Sequence, residues 1–153
     1  MLDSHISRLQ WTAPRNDAVT SYTDPGLYQL YLRLPDAARL EIGRLGVFDF
    51  PEGLYVYTGS ALRGIGARVA RHLRTEKRRR WHIDYLLEHA RVEAVAVLPT
   101  DERLECDLHR YAMLCLQGRI VALGFGASDC RCSAHLGYLG RISIEELGAR
   151  YPA

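Results

Sequence analysis

An arginine and a histidine lie one helical turn apart in the segment GARVARH, at Arg68 and His72. A guanidinium stays cationic and can bind two phosphate oxygens at once, so Arg68 suits the negative charge that develops when a phosphodiester is hydrolysed. The alternative is an ordinary surface arginine on a helix. His72 could orient a phosphate or transfer a proton, or it could simply pack against Tyr57.

Two tyrosines lie in segments typical of strands, Tyr28 in GLYQLYLRL and Tyr57 in LYVYTGS. The pKa of a tyrosine hydroxyl is normally about 10, so either group could act near a water molecule only if a neighbouring cation or metal lowers that pKa. The alternative is that both are half-buried tyrosines with no role beyond packing.

Glycines in the same region, at Gly59, Gly64 and Gly66, suggest at first a loop that binds a nucleotide phosphate. Their spacing does not fit such a loop. A P-loop needs a lysine followed by serine or threonine after its last glycine, and a dinucleotide fingerprint needs the pattern G-x-G-x-x-G. The sequence therefore excludes both nucleotide-binding motifs, and any chemistry must come from the tyrosines, the arginines and the histidine.

Alternating apolar residues and turn signals predict four strands that position these groups. The strands begin near Gly26, Arg39, Gly53 and Val92, and the first three form a meander before the first helix. We expect them to build a small, mostly antiparallel sheet of about three to five strands, flanked by helices. The predicted fold class is therefore α+β.

Helical periodicity predicts the elements that cover the sheet. The three covering helices contain Leu62, Trp81 and Glu102. The first helix begins at Ala61, and Arg68 and His72 lie on one flank of its apolar stripe, at the rim between core and solvent. The stripe comprises Leu62, Ile65, Val69 and Leu73. A short terminal helix begins with a capping box of Ser143 and Glu146.

The size of the chain suits one domain: it has 153 residues and is 48% hydrophobic. We place the domain at residues 25–153, after a partly ordered arm at 1–24. No apolar run approaches the roughly 20 residues that cross a bilayer, so we expect no membrane partner. Asp3, His5 and Arg8 stand where a signal peptide would have its apolar core, which predicts a cytoplasmic protein with reduced cysteines.

Positive charge is concentrated between positions 63 and 80, although the net charge is only +2. Such a block is either a solvated face or a surface for phosphates. We expect it to bind a nucleic-acid backbone outside the catalytic cleft, which would make binding sensitive to salt and largely independent of base sequence. The residues assigned to phosphate binding are Arg71, Arg74, Lys77, Arg78, Arg79 and Arg80.

The residues able to do chemistry occur in an order that resembles the GIY-YIG nuclease superfamily: Tyr28 in GLY, Tyr57 and Gly59 in YTG, and Arg68 and His72 in RVARH. The longer segments WHIDYLL, ERLEC and GFGASDCRCSAHL are similar to a poorly characterised branch of that superfamily, a domain of unknown function. The resemblance covers most of the chain and implies a GIY-YIG-like fold. The catalytic residues that it implies are Tyr28, Tyr57, Arg68, His72 and Glu105.

Two departures from the superfamily pattern stand out. Between Tyr28 and Tyr57 there are 28 residues, whereas the superfamily usually joins its two motif strands by one short hairpin. We attribute the excess to an inserted strand around residues 41–46. Thr58 replaces the usual aliphatic residue between the tyrosine and the glycine, which is a mild change because threonine fits a strand well.

A glutamate near the start of the third predicted helix is the expected metal ligand. Glu102 and Glu105 are three residues apart, so both can project from one side of a helix. By resemblance, Glu105 matches the single metal-binding glutamate of the superfamily, and one carboxylate with several waters suits Mg²⁺ or Mn²⁺. Glu102 is more simply explained as a favourable charge at the helix N-terminus.

Cysteines and a histidine form the pattern C-x-C-x2-H at Cys130, Cys132 and His135, with Cys106 and Asp129 available as further ligands. Zinc is one interpretation, but it is not the favoured one, because a closed site wants four ligands at established spacings. A second interpretation is a tight loop with reduced thiols. In a third, Ser128, Asp129 and His135 line the same cleft as Arg68.

The predicted function is that of a metal-dependent endonuclease. We expect it to hydrolyse nucleic acid, DNA before RNA, according to the structure of the substrate and not its base sequence. No module for reading sequence is visible, so a protein partner could supply targeting. The alternatives are a binding module for nucleic acid that keeps the fold without catalysis, and a zinc-stabilised interaction domain whose basic block is incidental.

Overall fold

The computed structural model describes residues 2–128 and 130–152, so Asp129, considered above as a ligand, lies outside the described residues. The strands are Gln10–Thr12 (β1), Gly26–Leu34 (β2), Ala38–Ile42 (β3), Gly46–Phe50 (β4), Gly53–Ala61 (β5), Arg91–Pro99 (β6) and Leu136–Tyr138 (β7). The α-helices are Asn16–Val19 (α1), Ile65–Leu73 (α2), His82–Leu87 (α3), Glu105–Leu116 (α4) and Ile144–Arg150 (α5). Two 3-10 helices precede them, Leu2–Ser4 and Ile6–Arg8.

The main sheet has five antiparallel strands in the order β1-β6-β2-β5-β7, which confirms the predicted α+β class. The central strands β2 and β5 pair along their whole length and are buried on both faces. Ile65 of α2 and Ile83 of α3 belong to the core on one face. Ala112 of α4 and Leu147 of α5 belong to the core on the other. Helices therefore cover both sides of the sheet.

The predicted meander was wrong about the strand around Arg39. That strand, β3, pairs with β4 in a separate two-stranded sheet, and β4 was not predicted. The reason lies in β2, whose two edges are already occupied by β5 and β6 along most of its length, so that no edge is left for β3. The hairpin instead buries Ile42 and Phe50 in the core beside α3.

The predicted start of the first helix was also wrong. Ala61 ends strand β5, where it pairs with Gly26, and the side chain of Leu62 is 78% exposed instead of lying on the apolar stripe. The helix begins only after Gly64, whose φ of 124° is rarely adopted by residues with a side chain. His72 is 2% exposed, so it faces inward and does not lie at the rim.

The segment before residue 25 is built into the domain. Strand β1 supplies one edge of the main sheet by pairing with β6, and the ring of Trp11 lies 5.2 Å from that of Tyr31. Helix α1 packs on α2, where the amide of Gly66 donates to the carbonyl of Tyr22. In the described parts of the chain, no helix is both long enough and apolar enough to traverse a bilayer.

Candidate functional site

A cleft of about 260 Å³ brings together residues from distant parts of the sequence. Four of the five residues predicted to be catalytic line it: Tyr28, Tyr57, Arg68 and Glu105. Its other walls are Gly59, Ser60, Trp81, His82, Gly126 and Ser128. A larger cavity of about 460 Å³ lies behind the remaining predicted residue, His72, and is bordered by the loop that follows α2. Among the described residues, its lining includes neither a tyrosine nor Arg68.

The antiparallel register of β2 and β5 places the two tyrosines on one face of the sheet. Tyr28 lies opposite Gly59 and Leu30 lies opposite Tyr57, so the two tyrosine side chains project to the same side with their ring centroids 6.4 Å apart. A side chain at position 59 would collide with the hydroxyl of Tyr28. The glycine of the YTG segment therefore lets the Tyr28 ring lie across the neighbouring strand.

His72 is buried next to Tyr28 and is hydrogen-bonded to its hydroxyl group. The His72 Nε2 atom lies 2.7 Å from the hydroxyl oxygen of Tyr28, and the His72 ring also contacts Tyr57 and Trp81. Burial lowers the pKa of His72 to about 3, so the imidazole is neutral near neutral pH and cannot serve as a cation for phosphate. Its Nδ1 has no partner among the described residues.

The unpartnered Nδ1 atom favours one tautomer of His72. A buried N–H without an acceptor is rarer than a buried acceptor without a donor. The proton therefore belongs on Nε2, which donates it to the hydroxyl oxygen of Tyr28. The hydroxyl hydrogen of Tyr28 is then left to point away from the histidine, toward the cleft that the phenol lines.

Burial raises the pKa of both cleft tyrosines above the ordinary value. For Tyr28 the charge of Arg68 and a hydrogen bond with it act in the opposite direction without overcoming burial. The sequence hypothesis required a lowered pKa for either tyrosine to remove a proton from water. In this arrangement both phenols stay protonated at neutral pH, so they are suited to holding a water molecule by hydrogen bonds.

Besides its hydrogen bond with Tyr28, Arg68 is held at the wall of the cleft by a backbone carbonyl and an aromatic ring. Its Nη1 donates to the carbonyl of Ser60 at 3.1 Å, and its guanidinium carbon lies 4.6 Å from the centre of the Trp81 ring. A guanidinium has five N–H donors, so these contacts leave donors for an anion in the cleft. Trp81 also lies against Arg71 and Arg80, at 4.2 and 5.2 Å. Sequence reasoning missed this role of Trp81, although a tryptophan directly after a basic block is a usable signal.

Glu105 is the first residue of α4 and, among the residues that the structure describes, the only acidic wall of the cleft. Its side chain is 30% exposed, and its Oε2 accepts a hydrogen bond from His135 Nδ1 at 2.9 Å. The prediction that Glu102 shares this helix was wrong, because the helix starts at Glu105 and Glu102 lies in the preceding turn, paired with His5. The favourable carboxylates at the helix N-terminus are therefore Glu105 and Asp107.

The remaining predicted residues gather beside the cleft. Cys130, Cys132 and His135 lie with Cys106, and their ligand atoms are all within 4.8 Å of one another. His135 is 1% exposed and does not line the cleft, but it reaches the cleft through its hydrogen bond to Glu105. Ser128 lines the cleft, as the third interpretation of this segment expected.

Asp84 organises the basic loop between α2 and α3, a role that the sequence did not reveal. Its buried carboxylate accepts hydrogen bonds from both terminal nitrogens of Arg71, each at 3.0 Å, and from the backbone amides of Arg80 and Trp81. Burial by itself would raise the pKa of Asp84, but these hydrogen bonds outweigh it and the pKa is lowered. The pairing favours a structural role for Arg71 over the predicted contact with phosphate.

Asp84→Ala should lower the free energy of unfolding by about 3 kcal/mol, the low end for a buried ion pair, since it removes four hydrogen bonds and leaves a partly buried guanidinium without its partner. Chemical denaturation of both proteins measures the difference.

This contribution should depend on pH. Because the folded pKa of Asp84 is below the unfolded value of about 3.9, its contribution to stability is complete above that value and is lost as pH falls through the folded pKa. The difference between parent and variant should therefore stay constant above about pH 5 and shrink in acid; a difference that is equal at both extremes would contradict the ion pair.

The other basic side chains of the loop differ in how far they are neutralised. Arg79 makes two hydrogen bonds to the carboxylate of Glu88, and Lys77 donates to the backbone carbonyls of His72 and Arg74. Arg80 stacks on Trp81. The exposed side chains of Arg74 and Arg78 form no hydrogen bond or ion pair with any residue that the structure describes. These two are the cations most available to a ligand.

Comparison with known proteins places the chain in a family. A family model described as "Domain of unknown function DUF123" matches residues 27–149, which extends from β2 into α5 and includes every wall of the cleft and the cysteine cluster. No curated protein and no solved structure matches the chain.

Proposed function

We propose that this chain, which belongs to the DUF123 family of unknown function, is a metal-dependent endonuclease that hydrolyses phosphodiester bonds in nucleic acid. One observation carries the proposal. Two tyrosines, an arginine and a glutamate, contributed by β2, β5, α2 and α4, converge on one cleft beside a basic loop. Phosphodiester hydrolysis needs these parts: groups that position water, a cation for the charge on the phosphoryl oxygens and a carboxylate for a divalent metal.

The resemblance to GIY-YIG nucleases supports the same function, because its two departures lie away from the cleft. The extra residues between Tyr28 and Tyr57 form the β3–β4 hairpin outside the main sheet, while the two motif strands still pair directly. Thr58 points to the opposite face of β5, where its hydroxyl bonds to His109 and Gln29 at 2.8 and 3.1 Å. Neither departure changes a group that faces the proposed substrate.

Arg68 is the residue that stabilises charge. Its guanidinium is held by Ser60 and Trp81, so it is oriented before substrate arrives and loses little freedom on binding. A donor fixed in a partly enclosed cleft stabilises developing negative charge more than the same donor in water does. Arg68 therefore binds the phosphoryl oxygens of the bond that is cut.

Tyr28 and Tyr57 position the attacking water. His72 donates its Nε2 proton to Tyr28, which fixes the direction in which the Tyr28 hydroxyl points. Because both phenols are protonated, they hold the water by hydrogen bonds and do not take its proton. The proton of that water could pass to solvent, because a divalent ion at Glu105 would lower the pKa of the water. His72 acts through Tyr28 and is a positioning residue.

Glu105 fits a role as the ligand of a hard divalent ion. One of its oxygens accepts from His135, while the partly exposed carboxylate faces the cleft and keeps its other oxygen for a cation. A single carboxylate with several waters is a usual arrangement for Mg²⁺, and Mn²⁺ accepts the same donors. When bound, such an ion supplies a Lewis acid that lowers the pKa of water and offsets phosphoryl charge.

Arg74 and Arg78 bind the backbone of the substrate outside the cleft. Replacing both with alanine should make the dependence of log affinity on log salt shallower by at most about 1.8, since each phosphate contact with duplex contributes about 0.9. Arg79→Ala is the matched control and should change the slope less, because Glu88 already neutralises Arg79. Binding titrations between low and moderate salt measure both slopes. An unchanged slope in the double variant would make the loop an ordinary solvated face.

The decisive test of the activity is incubation of the purified chain with branched, flapped, nicked and linear DNA and with the corresponding RNA. We expect cleavage with Mg²⁺ or Mn²⁺ and none with EDTA, and we expect DNA to be cut before RNA. A protein partner could restrict the enzyme to its target in the cell. If the chain binds these substrates but cuts none with either metal, the non-catalytic binding module replaces the nuclease.

A further inference from the structure

Three cysteines and one histidine form a compact group directly behind Glu105. Cys106 comes from the first turn of α4, whereas Cys130, Cys132 and His135 come from the loop that leads into β7. Their four ligand atoms lie within 4.8 Å of one another, and the histidine is buried while the cysteines are half-buried. None of the four lines the cleft, so the group is separate from the residues that would face a substrate.

The distances from the histidine nitrogen to two of the sulfurs match those of a tetrahedral zinc site. Zn–S and Zn–N bonds of about 2.3 and 2.0 Å at tetrahedral angles place the ligand atoms roughly 3.5–3.8 Å apart. The His135 Nε2 atom lies 3.5 Å from the sulfur of Cys106 and 3.4 Å from that of Cys130. We propose that Cys106, Cys130, Cys132 and His135 hold a zinc ion as a closed Cys3His site.

The orientation of His135 supports a metal over a mere packing contact. Its Nε2 faces the sulfurs, while its Nδ1 lies 2.9 Å from Glu105. A histidine that binds a metal through one nitrogen usually donates the other ring N–H to a carboxylate, which fixes the ring and its tautomer. Both ring nitrogens of this buried side chain are thus used in the way that zinc ligation requires.

A zinc site would add to what holds the loop that carries three of the ligands, which already has backbone hydrogen bonds such as His135 to Phe125. Between α4 and β7 the chain runs through residues 117–135 and, in its described part, forms turns and one isolated bridge but no helix or strand. Connections of this length without secondary structure are uncommon in a compact domain, and those that occur are usually functional or disordered. A zinc ion joining Cys130 and Cys132 to α4 would fix this loop, including Gly126 and Ser128 at the wall of the cleft.

The sequence offered all four ligands but not their arrangement. The pattern C-x-C-x2-H has only three ligands, and Cys106, one of two candidates for the fourth, lies more than 20 residues earlier, on α4. Only the fold brings Cys106 to the others. The alternative interpretation, a tight loop with reduced thiols, accounts for the free cysteines but not for the two short contacts to His135 Nε2.

A zinc ion here would also orient Glu105, and this consequence alone rests on the proposed function. Zinc on Nε2 keeps the proton of His135 on Nδ1, so Glu105 Oε2 accepts a hydrogen bond and the carboxylate is held in one rotamer. The structural ion would thereby set the direction of the carboxylate that we assign to the catalytic ion. The zinc site itself does not depend on nuclease activity.

The test is the metal content of the full chain, purified from zinc-supplemented medium and measured by elemental analysis. The parent should carry about one zinc per chain, as a closed four-ligand site does. Cys132→Ser should lose most of it, whereas Cys115→Ser, the matched control on α4, should keep it, because Cys115 is not in the cluster. A parent without zinc, or a Cys132→Ser variant with unchanged zinc, overturns the proposal.

A second measurement covers the case in which Cys132→Ser fails to fold. The parent is stripped with a chelator under reducing conditions and titrated with Co²⁺. We expect the intense charge-transfer absorption of thiolate-bound cobalt, saturating at about one ion per chain and disappearing when zinc is added. Cobalt that binds without thiolate absorption, or no binding at all, overturns the site.

The same samples separate this proposal from the proposed function. Glu105→Gln should keep its zinc, because an amide oxygen still accepts from His135. Protein that carries zinc but cuts no substrate rejects the nuclease and leaves the zinc site standing. Protein that cuts with Mg²⁺ but never holds zinc rejects the zinc site and leaves the nuclease standing.

Discussion

Glu105→Gln is expected to bind nucleic acid at least as well as the parent and to cut it at least about a hundredfold more slowly, since a bound ion stabilises the transition state by several kcal/mol. The substitution keeps the shape of the side chain and its hydrogen bond from His135, but removes the charge that holds Mg²⁺. Loss of that charge also reduces repulsion of phosphate. A cleavage assay and a binding assay, each across a Mg²⁺ titration, measure the two effects.

Glu102→Gln is the matched control. Glu102 lies in the turn before α4, pairs with His5 and is not a wall of the cleft, so this variant should cut normally. If the Glu105 variant cuts normally while the Glu102 variant is inactive, the assignment of the metal ligand is wrong. Zinc content measured on both variants shows whether any loss of cleavage comes from disturbance of the cysteine cluster.

Local pattern was sufficient to predict the central elements of the fold. Strand β2 has the predicted bounds, because its apolar run is bracketed by turn residues, and the capping box of Ser143 and Glu146 was confirmed at the start of α5. The failures share a cause. Strand pairing depends on hydrogen-bonding partners that are remote in sequence. The local pattern of apolar residues therefore cannot show which strand pairs with β2, or that β5 continues as far as Ala61.

The candidate site was likewise predictable only as far as local sequence determines it. The residue types of the cleft were recognisable from sequence, but their surroundings were not. In the sequence, His72 is surrounded by basic residues, which suggests an exposed site. Only the fold shows that it is buried, neutral and hydrogen-bonded to Tyr28. The sequence analysis likewise treated Arg71 and Arg79 as cations available to phosphate. In the structure Asp84, in α3, pairs with Arg71, and Glu88, just after α3, pairs with Arg79.

Arg68→Ala is expected to fold normally and to lower the rate of cleavage by roughly 10²–10³, the usual loss for one fixed donor at a developing charge. Folding should survive because Arg68 is only partly buried and its contacts are few: one carbonyl, one face of Trp81 and the hydroxyl of Tyr28, which His72 still partners. The loss should appear mainly in kcat, since the backbone contacts that set affinity lie on the basic loop. Steady-state kinetics, with thermal unfolding as the check on folding, measure both effects.

Two further variants decide whether Arg68 acts by its charge or by its geometry. Arg68→Lys keeps the charge but loses the planar fork that binds two oxygens, so it should recover only part of the lost rate. Arg63→Ala removes an exposed arginine close in sequence that is not a wall of the cleft, and it should cut like the parent. Because Trp81 and Ser60 hold the guanidinium in one place, a lysine at position 68 has no equivalent support. Near-normal turnover by a folded Arg68→Ala variant would remove Arg68 from the site and, with it, the cation on which the proposed chemistry depends.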